Sequence, residues 1–197
     1  MGAIVSNIQK FQKELEKADK ARVSAARTAV KVEGYWLKNQ LKIEIERGAP
    51  GGQRFSPLSL IAQARKYRSK NKSPLHRLGK LVRYRTSYTQ KGGMTFEVGF
   101  VNPTKGAKLS KSWVRLVQLH QEGRKIPVKE EMRKGLITIA QGMKKGKIRN
   151  VFFLKKTTTD VKIPARPIID PFWDAHERQA EQNIIANFAR KMRGETI

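Results

Sequence analysis

Between Ile4 and Ile45 apolar and small residues recur at three- and four-residue steps: Ile4, Ile8, Phe11, Leu15, Ala18, Ala25, Ala29, Val32 and Trp36. That period predicts one long amphipathic helix, and the alanines in its stripe point to close packing against another helix. A helix of this length exceeds what a small domain can cover, so part of it is expected to project or to meet a neighbouring subunit. Gly48, Pro50, Gly51 and Gly52 supply the stop.

Ser56-Pro57 reads as an N-cap with proline at the first helical position, opening a short helix with Leu58, Ile61, Ala64 and Tyr67 on its apolar side. A basic loop, RKYRSKNKSP, follows from Arg65 to Pro74. From Leu81 to Tyr88 the period changes to two, with Val82, Tyr84, Thr86 and Tyr88 on one face and Arg83, Arg85 and Ser87 on the other. Gly92-Gly93 turns the chain, and Met94, Phe96, Val98 and Phe100 alternate back. This is a hairpin with one buried face.

A helix is predicted from Ser110 to Glu122, with Trp113, Leu116, Val117 and His120 on one side and Gly123 as its stop. A further one is expected from Pro127 to about Met143, with Glu130 and Glu131 in its first turn and lysines beyond its end. Val151 to Ile163 reads as one long or two short strands. Asp170-Pro171 then caps a final helix whose inner face is Phe172, Ala180, Ile184, Phe188 and Met192. Trp113 and Trp173 are expected in the core.

The resulting fold class is α+β: a long N-terminal helix, an antiparallel β-sheet with a hairpin, helices packed on one face, and a C-terminal helix. Residues 1–47 form a packing or oligomerisation arm. Residues 48–197 form the α+β domain, with an inserted helix–strand segment at about 124–160. No internal repeat is visible.

Charge changes the picture most. The 197 residues carry 42 Lys+Arg against 16 Asp+Glu, a formal net charge of +26. Between Arg47 and Gln121 a single acid, Glu97, faces sixteen bases. The acids gather in the terminal helices, so one region of the fold is expected to be cationic and the termini nearer neutral. Such a face either serves solubility or meets nucleic acid or an acidic partner. Candidate contacts are Arg65, Lys66, Arg68, Lys70, Lys72, Arg83 and Arg85. Tyr67, Tyr84 and Tyr88 could add stacking platforms, although in a hairpin Tyr84 and Tyr88 share the apolar face and suit core packing better.

There is no cysteine, which excludes disulfides, thiolate metal sites and a Cys nucleophile. No apolar run approaches the roughly 18 residues of a membrane span, and the first residues lack the order of a signal peptide. A soluble protein of a reducing compartment is expected. His76, His120 and His176 are scattered without metal-ligand spacing, and no P-loop, dinucleotide or nucleophile-elbow motif occurs. Glu130 and Glu131 are adjacent and so point to different helix faces. No catalytic residue, metal site or cofactor is expected.

Three stretches, in order, resemble the virion-morphogenesis and tail-completion (head–tail neck) proteins of tailed phages. The first is FSPLSLIAQARKYRSKNKSPLHRLGKLVRYRTSY, Phe55 to Tyr88, in which Leu75, Gly79 and Leu81 match a Leu-x-x-Thr/Ser-Gly-x-Leu step and Leu78 stands where the family has Thr or Ser. The second is His120-Gln121-x-Gly123, similar to the family's HQxG segment. The third is IPARPIID, Ile163 to Asp170, similar to the family's IPARP. Pro164 and Pro167 hold that segment extended, and Arg166 between them can offer its planar fork to a carboxylate or to carbonyls, most simply as a local clamp. His120 and Gln121 suit backbone contacts at a helix end. Where the family passes quickly from HQxG to IPARP, Arg124 to Asp160 intervene here.

The resemblance implies a structural virion protein located in the phage neck, made in the host cytoplasm, with no cofactor and no membrane. Copies would form a ring, a hexamer or a dodecamer, between head connector and tail terminator or tube, with DNA passing through the channel. The alternative is a non-specific basic nucleic-acid-binding protein.

Overall fold

The computed structural model of the chain describes residues 2–57, 75–89, 93–103, 106, 108–134 and 157–197, with side chains from Gln12 onward in the first helix. The fold is α+β. Helix α1 (Gly2–Arg47) leads into the hairpin β1 (Arg83–Tyr88) and β2 (Met94–Gly99); α2 (Lys111–Glu122), β3 (Arg124–Pro127), β4 (Asp160–Ile163) and α3 (Ile169–Met192) follow. The chain divides into two compact units. One comprises Met1–Lys42, Leu81–Leu109 and Trp173–Ile197; the other comprises Ile43–Lys80 and Ser110–Phe172.

In the first unit the hairpin has the register that its alternation predicts, Arg83 opposite Gly99 and Tyr88 opposite Met94. The buried row of α1 runs Ala25, Ala29, Glu33, Leu37 and Leu41. It follows a strict four-residue step, which advances around the helix by about 40° each time. The expected stripe therefore departs from it at Val32 and Trp36; Trp36 is exposed while its neighbour Leu37 is covered. Glu33, only 3% exposed, accepts a hydrogen bond from Asn183 Nδ2 on α3 at 3.1 Å, and that partner makes a carboxylate tolerable inside an apolar row. Gly34 lies against the Phe96 ring, so the hairpin approaches the helix where there is no Cβ to hold it off.

Along α3, Phe172 and Ala180 are buried, but Met192 is 48% exposed, so the expected inner face frays toward the end of the helix. The helix begins at Ile169, which puts Asp170 inside its first turn and not at the cap. There its carboxylate favours the positive end of the macrodipole.

In the second unit, α2 starts as its sequence predicts. Ser110 is the N-cap and its side chain accepts from the Trp113 N–H. The exposed positions differ: Val117 is buried, while Trp113 is 40% and Leu116 37% exposed. Trp173, in the first unit, is 46% exposed, so neither expected core tryptophan is a core residue. Residues 124–127, where Pro127 is expected to open a helix, form β3, antiparallel to β4 with Arg124 opposite Ile163. The sheet is thus two separate two-stranded ladders. Pro127 belongs to β3, and helix is found over residues 130–134. The expected continuation of that helix to Met143 and the strand from Val151 to Lys156 lie outside the described residues, as does the helix expected after Pro57. Leu75 and Leu78 are buried, one just before and one within the short 3-10 helix His76–Leu81.

Candidate functional site

The second unit brings the sequence motifs together around one buried cation. Arg166 is 3% exposed. Its Nε donates to the Ser56 carbonyl at 2.8 Å, its Nη2 to the Pro57 carbonyl at 2.9 Å and its Nη1 to the Pro164 carbonyl at 3.5 Å. Planar, five-donor geometry suits several carbonyls that no single ammonium could serve. Burial pushes the guanidinium's pKa down from its ordinary value, while the carbonyl dipoles around it favour the charged form.

The backbone of the same residue closes onto the HQxG segment. Arg166 N–H donates to the His120 carbonyl at 2.7 Å, satisfying one of the orphan carbonyls at the end of α2. Ile169 N–H donates to Gln121 Oε1 at 3.4 Å. Gly123 ends the helix at φ 71, ψ 174. This is extended backbone of the opposite hand to an ordinary strand, a region only glycine populates freely. A Cβ there would crowd Ala165 N and Ile163 O. His120 Nδ1 is buried with no hydrogen-bond partner; burial first, and then the Arg166 charge, pushes the imidazole below its usual pKa. The side of the junction is an open groove lined by Gly123, Lys125, Lys162 and Pro164 among others. Pro164 and Pro167 themselves are exposed. They hold the connection extended without entering the core.

Of the candidate contact residues, Arg65, Lys66, Arg68, Lys70 and Lys72 lie outside the described residues. Arg85 does not present a bare charge: both Nε and Nη2 reach Glu97 Oε2 across the hairpin, at 3.0 and 2.6 Å. The one acid of the cationic stretch is thus matched to the base directly opposite it in the register. Arg83 bonds the Val82 carbonyl through Nη1.

Beside the hairpin, in the first unit, Tyr84 stacks on Phe96 with ring centroids 5.0 Å apart, and Tyr35 donates its hydroxyl proton to the Tyr84 oxygen at 3.0 Å. That hydrogen bond, with burial second, raises the Tyr35 pKa. Tyr84 therefore packs as expected. Tyr88 does not: it is 55% exposed and carries the Arg27 guanidinium 5.0 Å above its ring. Lys38 Nζ lies 5.6 Å from the Tyr84 centroid. These cations belong to α1, where ten bases are interspersed with six acids; the signal that reveals them is a seven-residue recurrence of bases, Lys13, Lys20 and Arg27, then Lys31 and Lys38.

Among the described residues no group of three His, Asp or Glu stands together to hold a metal ion, and no described helix is long and apolar enough to cross a membrane. Comparisons of the chain with protein-family models, with curated proteins and with solved structures find no match.

Proposed function

We propose that this chain is a structural protein of the tailed-phage neck, assembling as a ring that joins the head connector to the tail and transforming no molecule. One observation carries this reading. The three stretches that resemble neck proteins, spread over more than a hundred residues, meet at Arg166: its side chain binds the FSP carbonyls, and its backbone binds the HQxG helix end. Chance likenesses scattered along a chain have no reason to contact one another, whereas parts of one inherited junction do. Exposed apolar side chains on α2 (Trp113, Val114, Leu116) and on α3 (Trp173, Ile185) add material suited to subunit contacts.

Charge sets a condition on the ring. Six copies at +26 would hold about 150 positive charges, which repel strongly within a Debye length of about 8–10 Å. Much of that charge must then face an acidic neighbouring ring or the DNA. Size-exclusion chromatography and electron microscopy of the purified protein over a range of salt, alone and with connector or tail tube, test the proposal. A ring, alone or on either partner, supports it. A monomer at every salt, with no ring on adding connector or tube, overturns it and leaves the second reading, a basic nucleic-acid-binding protein outside any particle.

A further inference from the structure

We propose that the face of α1 from Lys20 to Lys38 is a binding site for the phosphate backbone of double-stranded nucleic acid. Lys20, Arg27, Lys31 and Lys38 stand seven, four and seven residues apart. At roughly 100° per residue they fall within about 20° of one line along the helix, over a length of about 27 Å. None of the ion pairs among the described residues involves Lys20, Lys31 or Lys38. Two acids border it: Glu16, one turn before Lys20, and Asp19, which also lines the groove beside the stripe but has its charge matched by Arg22 at 3.1 Å.

Two features separate this stripe from a merely solvated face. Arg27 and Lys38 are held over the rings of Tyr88 and Tyr84, so part of the ordering cost of binding an anion is already met by the fold. An open groove runs beside the stripe, with the exposed Tyr88 of the hairpin as one wall and Ser24 and Thr28 between the cations. A protein partner needs an apolar centre to dock on, and among the side chains lining this groove only Val23 is aliphatic. Phosphates need none: small hydroxyls and a row of cations position a nucleic-acid backbone without reading its bases. The match of charge and line therefore favours a duplex over an acidic protein. The site stands on its own geometry and requires no ring, so its failure and the failure of the neck reading are separate results.

Fluorescence anisotropy with a labelled duplex of about 30 base pairs, titrated between about 50 and 200 mM salt, tests the site in the full chain. The variant Lys20→Gln/Lys31→Gln touches neither tyrosine ring and leaves packing intact; it is expected to lower the slope of log K against log salt by about 2. Adding Arg27→Gln and Lys38→Gln is expected to lower it by about 3 to 4 in total. A control removing four exposed lysines elsewhere, Lys108, Lys125, Lys129 and Lys162, is expected to change the slope far less. Equal loss in the control, or an unchanged slope in the stripe variants, overturns the site. Displacement of duplex by poly-glutamate as effectively as by the same charge of unlabelled duplex overturns the choice of nucleic acid. Tighter binding of a single strand overturns the choice of duplex.

Discussion

The ring of Phe96 occupies the space in which a Cβ of Gly34 would stand. In an exposed helix interior, replacing glycine with alanine gains about 1 kcal/mol; here the sign reverses, because the ring and the hairpin behind it must move. Gly34→Ala is expected to destabilise the protein by up to about 2 kcal/mol, a net of that gain and an overpacking cost of about 1–3 kcal/mol. The same substitution in a Phe96→Leu background should cost less. Urea denaturation of the four proteins in that cycle measures the difference.

Arg166 makes three side-chain hydrogen bonds within the second unit. Arg166→Ala removes three donors from carbonyls of Ser56, Pro57 and Pro164 and is expected to cost about 3 kcal/mol. Arg166→Lys keeps the charge yet cannot span the two upstream carbonyls, so it should recover only part of that loss. Thermal melts of both variants rank them; equal stability of Lys and Arg would contradict the fork geometry.

His120 makes stability fall with acid. Its folded pKa lies below the ordinary value, so on acidification the unfolded chain takes up its proton first, near pH 6.5. The folded state therefore has its full advantage above that pH, loses it as pH falls from about 6.5 toward the folded pKa, and does so at no more than about 1.4 kcal/mol per pH unit. Denaturation midpoints between pH 7.5 and 5 should decline for the natural protein and decline less for His120→Gln. Most of the window lies above the range in which carboxylates titrate, and Glu195 stays further clear of it because its hydrogen bonds from Arg193 and Arg190 lower its pKa.

The Arg85–Glu97 pair is geometrically good but half in water, with side chains 50% and 36% exposed. Glu97→Gln is expected to change stability by about 0.5 kcal/mol or less. It also frees the Arg85 guanidinium, so polyanion affinity should rise slightly in the anisotropy titration. A large destabilisation would mean that the hairpin depends on this pair more than its exposure allows.

Elements governed by local rules were legible in the sequence. A period of two on either side of two glycines specifies the β1–β2 register, and Ser110 and Gly123 bracket α2 through cap chemistry that acts within one turn. Features decided by tertiary partners were not. Nothing local marks Glu33 for burial; the group that satisfies it, Asn183, lies 150 residues away. Trp113 and Trp173 read as core because of their size, yet the helix faces that carry them are uncovered. Arg166 reads as a clamp on its own connection; one of its carbonyls is indeed local, at Pro164, but the two shorter bonds reach 109 and 110 residues upstream. The cationic row of α1 is masked in a segment count by six acids interspersed among its ten bases, and projection around the helix is what brings Lys20, Arg27, Lys31 and Lys38 into line.

The long reach of Arg166 also sets a timetable during synthesis. Ser56 and Pro57 are translated 110 and 109 residues before the guanidinium that binds their carbonyls, an interval of roughly 5–20 s at typical ribosomal speeds. Throughout that interval these oxygens lack the guanidinium that binds them in the finished chain. The second unit can lock only after the ribosome has delivered residue 166, so an unfinished copy lacks the finished junction.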